Sequence, residues 1–267
     1  MLKLKNLVIS FCLLLLTQIS QAQLGLYHEL GVIAGPVQFR SDFGSRDDSS
    51  TNFGNTGFGI GVIHYLNFTY TDDHKHAFTN TYFNDHFKVR SELSYNTTKL
   101  EHHGQWVDPS KTTENAKKLR GHKGSANNFD IGAQLEYSPL SLGEFQSYGH
   151  KFSPYLTLGV HYTFSSAKVS TDYQNPDPSA IGDVTDPSNF YAFWEPGSVD
   201  VSNSNAWSMV SSVGVTYKLT RMSDLILDLR WQYYFSDWVD GLNHQLPSNE
   251  TNDWLMWLSV GYVHYLD

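Results

Sequence analysis

The fold class this sequence predicts is all-β: a closed, antiparallel, up-and-down transmembrane β-barrel of about eight strands. Three observations predict it. Segment after segment alternates with period two between uncharged and charged or small residues, as in Leu225 to Phe235 (LILDLRWQYYF). After the first residues, no segment has the unbroken apolar length of a spanning helix, so a chain that enters a membrane must close into a barrel to pair its backbone. Finally, the glycines gather on the charged side of the strands.

The amino-terminal residues read as a secretory signal, residues 1–22. Lys3 and Lys5 precede an apolar run from Leu7 to Leu16, and Ser20 and Ala22 suit cleavage before Gln23. The barrel then occupies residues 23–267. Cys12, the one cysteine, lies in the signal, so the mature chain has no disulfide framework, cysteine zinc site or thiol nucleophile. Aromatic residues at 15%, 20 glycines and a negative mean hydropathy suit a barrel whose strands are half polar. A net charge of -9 argues against a nucleic-acid partner.

In order, the first strand runs from about Leu26 to Phe39, with Leu30, Val32 and Ala34 opposed to Glu29, Gly31 and Gly35. The second, Gly57 to Phe68, sets Phe58, Ile60, Val62 and Leu66 against Gly57, Gly59 and Gly61. The third, His86 to Asn96, sets Phe87, Val89, Leu93 and Tyr95 against Lys88, Arg90, Glu92 and Ser94. A base-rich connection, Thr97 to Asn128, precedes the fourth, which sets Phe129, Ile131, Ala133, Leu135 and Tyr137 against Asp130, Gly132, Gln134 and Glu136. Pro139 to Pro154 connects to the fifth, Tyr155 to Phe164. An acidic connection, Ser165 to Asn205, follows; its segment NFYAFWEP (Asn189 to Pro196) has enough aromatic surface to fold onto something. The sixth strand is Trp207 to Leu219, the seventh Leu225 to Phe235, and the last begins at Trp254. An even count returns both ends to one side, and the long third and fifth connections with the short sixth fit a periplasmic amino terminus. The second connection, Thr69 to Asp85, is longer than a periplasmic turn, which leaves open tall strands, an extra hairpin or a docking surface.

Glycine decides which side faces inward. On the outside of a soluble barrel these residues would weaken strands for no gain; inside a narrow barrel they make room for large charged neighbours. The lumen is therefore expected to hold Glu29, Lys88, Arg90, Glu92, Asp130, Glu136, Asp228 and Arg230, paired because isolated buried charges are costly. Trp207, Tyr217, Trp231, Tyr233, Trp254 and Tyr262 are expected on the outside as interfacial aromatics, with His64 and His264 near a rim. A soluble lipocalin-type barrel is the reversed alternative.

No chemistry-bearing motif points to an enzyme, cofactor or metal. Gly57, Gly59 and Gly61 share one face of a strand, whereas a dinucleotide loop needs a turn into a helix. His74 and His76 share a face near Asp72, but lack a third ligand. Asp42, Asp47 and Asp48 do not form an EF-hand pattern. His161, Ser212 and Asp228 make a conceivable hydrolytic set on separate strands, where a satisfied lumen histidine is the simpler reading. The basic and acidic connections should leave the same end, where three readings stand: they cover the barrel mouth by mutual attraction, the bases bind lipopolysaccharide phosphates and the acids a divalent cation or a protein partner, or both are solvated surface loops.

The segments YHELGVIAGPVQFRSDFG, NFGNTGFGIGVIHYLNF, YFNDHFKVRSEL and DLRWQYYFSDWVDGLNH resemble an uncharacterised outer-membrane β-barrel family of Bacteroidota, especially flavobacteria. The resemblance covers nearly all of the mature chain. More distantly, the Glu-x-Gly opening with a later glycine-rich strand is similar to PorG-type barrels of the type IX secretion machinery. It implies no catalytic residues. The expected role is that of a non-enzymatic structural or docking component of an envelope assembly in the outer membrane. Its expected partners are outer-membrane lipid or lipopolysaccharide, with other envelope or secretion proteins as candidates. A small pore or ligand-binding barrel and an outer-membrane lipid-modifying enzyme are the alternatives.

Overall fold

The computed structural model describes residues 27–45, 48–69, 81–249 and 251–266. Its strands are β1 (Tyr27–Arg40), β2 (Thr56–Asn67), β3 (Phe87–Glu101), β4 (His122–Tyr137), β5 (Phe152–Thr171), β6 (Ser204–Thr220), β7 (Ser223–Tyr234) and β8 (Trp254–Tyr265). They follow one another around a closed barrel of eight antiparallel strands. Closure is by β1, whose Val32 lies opposite Val62 of β2 and Tyr262 of β8. Short helices α1 (Ser49–Asn52), α2 (Tyr82–His86), α3 (Glu114–Gly121) and α4 (Leu142–Gln146) lie in the connections. The odd-numbered connections leave what we term the upper end, the even-numbered ones the lower end. The signal region, Asp47, Asp72 and the histidine pair His74 and His76 lie outside the described residues.

Alternation turns the uncharged side outward. Leu30, Val32, Ile60, Val62, Leu156, Leu158, Val160, Leu227, Leu258 and Val260 are exposed. A continuous apolar belt of this kind is unfavourable in water and is what a bilayer requires. On β5 the belt runs from Phe152 to Phe164. At about 3.3 Å per residue and a tilt of about 40°, that run rises roughly 30 Å, the thickness of a hydrocarbon core.

The strands outrun the alternation that predicts them. β3 extends through Glu101 and β4 begins at His122, so both ends of the expected basic connection are sheet, and β5 continues to Thr171 into the expected acidic one. Above Phe129 and Phe164 the outer face of these strands is polar (Asn127, Ser125, Ser166, Ser170), and the apolar-out alternation disappears once nothing outside is apolar. The connector before β5 likewise ends before Pro154, which lies inside that strand.

The second connection carries no hairpin in its described part; it ends in α2, capped by the Thr81 side chain on the Asn84 amide. Asp85 of α2 accepts from the Ser141 hydroxyl at 2.9 Å and the Gly143 amide at 3.0 Å, at the start of α4. Two lower connections are thereby latched together.

Candidate functional site

The lumen is filled from one wall by charge. Glu92 sits at the centre, accepting both terminal nitrogens of Arg230 (2.6 and 2.5 Å) and one of Arg90 at 3.0 Å. Arg90 also reaches Asp228 at 3.3 Å, and the Tyr155 hydroxyl donates to the same Asp228 oxygen at 2.8 Å. Toward the lower end Lys88 lies 3.4 Å from both Glu29 and Glu136. Toward the upper end Asp130 accepts from neutral donors, Thr163 at 2.6 Å and Gln232 at 2.8 Å. The structure thus buries all eight expected lumen charges and gathers them into three groups, with Asp130 hydrogen-bonded rather than ion-paired. A further pair lies beyond the sequence reading: Lys218 is 3.3 Å from Asp224, and the Tyr265 hydroxyl touches both, at 2.6 and 2.5 Å. The polar parity of Lys218 on β6 is visible in the sequence; its partner stands just after a turn, where no alternation marks it.

The other wall, β8, β1 and β2, is largely apolar inside, apart from Glu29 and Asn67 at its lower end and Ser259 on β8. Ile33, Val37, Phe39, Ile63, Tyr65, Leu255, Trp257 and Val263 are buried in the lumen. The expectation that glycines make room for charged neighbours needs correction at one position on each wall. A side chain on Gly59 would meet the Trp257 ring at 2.8 Å, and one on Gly214 would meet the Tyr155 ring at 2.3 Å. These glycines accommodate aromatic rings. The two walls meet through cations over rings, Arg230 over Trp257 at 4.8 Å and Lys88 over Tyr65 at 4.2 Å.

Both ends are closed. At the lower end α4 places Leu142 and Phe145 in buried positions, with the Phe145 ring 5.1 Å from the Lys218 ammonium. At the upper end the segment NFYAFWEP folds onto the mouth. Trp194, only 8% exposed, stacks on His244 at 5.4 Å and meets His122 edge-on at 5.0 Å, while Phe43 stacks on His102 and His122. Phe190, Leu119, Leu100, Val199, Val239 and Leu242 complete this seal. The four upper connections are tied together polar group to polar group. The first and fourth join through Asp240 accepting the Asp42 amide (3.2 Å) and Asp42 accepting the His244 amide (3.1 Å). The second and third join through Lys123 and Asp172 at 2.6 Å, Tyr173 and Glu114 at 2.7 Å, and the Ala192 amide on Asn115. The third and fourth share the Val199 to Leu242 bridge. Charge attraction between loops is therefore present at the rim, but the seal itself is aromatic and aliphatic.

Burial holds the imidazole of His102 well below its usual value, with His122 and His244 adding to the shift. Among the described residues no group of three histidine, cysteine, aspartate or glutamate side chains is arranged to hold a metal. The loop aspartates act locally. Asp48, Asp177 and Asp183 each accept the hydroxyl and amide of the Ser or Thr two residues on, which draws their carboxyls below the usual range.

The remaining sequence candidates separate. His161 meets Gln134 at 3.2 Å while Asp228 is held by Arg90 and Tyr155, and among the described residues neither bonds Ser212. Gly57, Gly59 and Gly61 lie within β2, which continues to Asn67. His64 bonds and stacks on His28 on the outer face near the lower end, and exposed His264 lies nearby opposite Leu30.

On the outer face, Trp207 packs on Tyr162 at 5.0 Å, Tyr233 lies opposite Trp254, and Arg40 covers Trp254 at 4.9 Å. With Tyr95, Phe129 and Phe164 they form an upper aromatic rim; Trp231 stands one step inside it, opposite Met256. Tyr217, whose ring is tilted against that of Phe152 at 5.0 Å, and Tyr262 belong to a lower rim with Phe87 and Tyr137. The aromatics not singled out from sequence end their alternations, and that position was the available signal.

Neither a protein-family model nor a curated protein sequence matches the chain. Among solved structures it is similar to the attachment invasion locus protein Ail of Yersinia pestis, at 9% identity and a TM-score of 0.42, covering 91% of this chain and 100% of that one. It is also similar to a major outer membrane protein from Thermus thermophilus, at 15% identity and a TM-score of 0.45, covering 90% and 99%. The outer membrane protein OprG of Pseudomonas aeruginosa is a third, at 13% identity and a TM-score of 0.39, covering 89% and 93%. At these identities and scores no function is carried across.

Proposed function

We propose that this chain is an integral outer-membrane barrel that works as a non-conducting, non-enzymatic element of the cell envelope, presenting fixed surfaces at its two ends for other components to dock on. The observation that carries this reading is the sealed axis: ion-paired charges and packed rings across the middle, α4 below and the Trp194 cap above. A barrel of this strand number has room for side chains and little else. Buried charges tied in pairs are costly to separate, so the lumen resists hydration as a path. The charged side chains inside are engaged with one another or with neutral donors, while Ser94, Ser212, Ser259 and the Trp257 indole nitrogen are buried without a hydrogen-bond partner among the described residues, on β3, β6 and β8, and do not gather into a catalytic set.

The upper connections, interlocked at several points, would present a rigid face to the exterior, and the latched α2 and α4 a second face to the periplasm. A place in the type IX secretion or gliding apparatus is the finer reading; it rests on the sequence resemblance described above and on these two platforms. A planar bilayer tests the sealed axis: the reconstituted protein should give no steady open level, and a stable large conductance would refute it. Crosslinking in intact cells tests docking, which fails if the barrel is recovered alone after gentle solubilisation.

A further inference from the structure

Above the upper aromatic rim, the outer face of β3, β4 and β5 is ordered in rows by the strand register. Tyr95, Phe129 and Phe164 lie opposite one another and form the topmost apolar row. The next row is Thr97, Asn127 and Ser166, cross-linked by the Thr97 hydroxyl on Asn127 at 2.8 Å and the Asn127 amide on the Ser166 carbonyl at 3.1 Å. The row above it is Lys99, Ser125 and Lys168. Lys99 and Lys168 thus stand on either side of Ser125, separated by about 10 Å at the backbone given strand spacings of about 4.8 Å. Four residues of tilted strand place them roughly 10 Å above the aromatic row, which is headgroup depth for a hydrocarbon core flanked by polar layers. Long lysine stems reach several ångström further along the barrel surface.

The charges around this row leave the two lysines available. One row higher, Lys123 lies opposite Glu101 and Ser170, and Asp172 holds Lys123 at 2.6 Å. Neither Lys99 nor Lys168 makes an ion pair among the described residues, and both are exposed. The other bases of this end among the described residues are engaged: Lys117 by Glu114 at 2.7 Å, Arg120 by the carbonyls of Asp108 and Lys111, Lys111 over the Trp106 ring, Lys118 over the Tyr173 ring and Arg40 over the Trp254 ring.

We infer that Lys99, Ser125 and Lys168 form a lipid-headgroup site on the barrel wall, which grips a phosphate of a phosphorylated glycolipid in the outer leaflet while its acyl chains pack on Tyr95, Phe129 and Phe164. Two ammonium groups flanking a hydroxyl supply charge and a hydrogen-bond donor to one phosphate. The aromatic row below gives the apolar remainder a surface, which free phosphate would not use. The site rests on the membrane reading given above.

The test uses the full mature barrel in nanodiscs of phosphatidylcholine doped with bisphosphorylated lipid A, with native mass spectrometry counting retained lipid A. Wild type should retain it at defined stoichiometry, and dephosphorylated lipid A should be retained far less. The Lys99→Ser, Lys168→Ser double variant should weaken retention by about 30-fold, from about 1 kcal/mol per basic residue near a charged surface. The Lys117→Ser, Lys151→Ser control, with the same charge change elsewhere, should retain it as wild type does. Equal retention by the double variant and wild type would overturn the site, as would full displacement by millimolar inorganic phosphate. Failure of the protein to enter nanodiscs would instead defeat the membrane reading itself.

Discussion

The two walls of the lumen solve the same packing problem with different chemistry. Across β3 to β7 the interior is built of ion pairs and hydrogen-bonded polar groups around Glu92, Asp228 and Asp130; across β8, β1 and β2 it is built of Trp257, Ile63, Ile33 and Val263 with glycines between them. Outside, both walls present the same apolar belt. The difference teaches that lipid constrains the outer parity uniformly, whereas the inner parity need only fill volume and leave no charge alone. The polar wall should therefore be sensitive to the identity of each partner and the apolar wall to shape.

The largest effect should come from removing the central carboxylate. Glu92→Gln keeps the volume but leaves Arg90 and Arg230 buried around a neutral group, and should cost about 3–5 kcal/mol in urea unfolding from lipid vesicles. A change under about 0.5 kcal/mol would break the comparison, because the polar wall would then be acting by volume alone. Next, Gly59→Val pushes a side chain into the Trp257 ring and should cost about 1–3 kcal/mol by overpacking, although it adds no charge. Ile63→Val, which trims one methyl from the apolar wall, should cost about 0.5–1.5 kcal/mol. Lys123→Ser, breaking an exposed rim pair, should cost under about 1 kcal/mol in the same assay and serves as the floor.

The mouth combines both kinds of packing and should respond to pH. His102 is held neutral in the folded cap, while the same side chain in an opened cap titrates near the ordinary histidine value of about 6.5. The open form therefore binds more protons below that value, and the cap should be indifferent to pH above about 6.5 and loosen as pH falls through it toward the depressed folded value. Limited proteolysis at the third upper connection, with Trp194 fluorescence in parallel, reads this loosening. His102→Gln should flatten its pH dependence; an unchanged profile would assign it to His122, His244 or the Asp42 carboxylate that faces His244.

Strand number, order and outer face were legible because the outer residues alternate without exception through segments such as Leu225 to Phe235. The charged wall was legible as well, since Lys88, Arg90, Glu92, Asp228 and Arg230 fall on one parity. The apolar wall was not. In stretches such as Gly31 to Phe39 and Trp254 to Leu258 both parities are apolar, and alternation cannot rank two similar faces. The tops of β3, β4 and β5 were missed for another reason: their outer face turns polar, with Lys99, Ser125, Asn127, Ser166 and Lys168 where an apolar row would mark a strand. NFYAFWEP was recognisable as surface-seeking, but its seat on His122 and His244 joins residues distant in sequence.

By itself, the order of residues determined that this chain closes as a barrel and which side of each strand meets lipid, since a period of two is a local property that lipid enforces strand by strand. Only the tertiary structure decided which cation meets which carboxylate, which rings occupy the space over the glycines, and what seals the ends. Those contacts depend on the register between strands and on loops converging from around the circumference, and no local pattern encodes them.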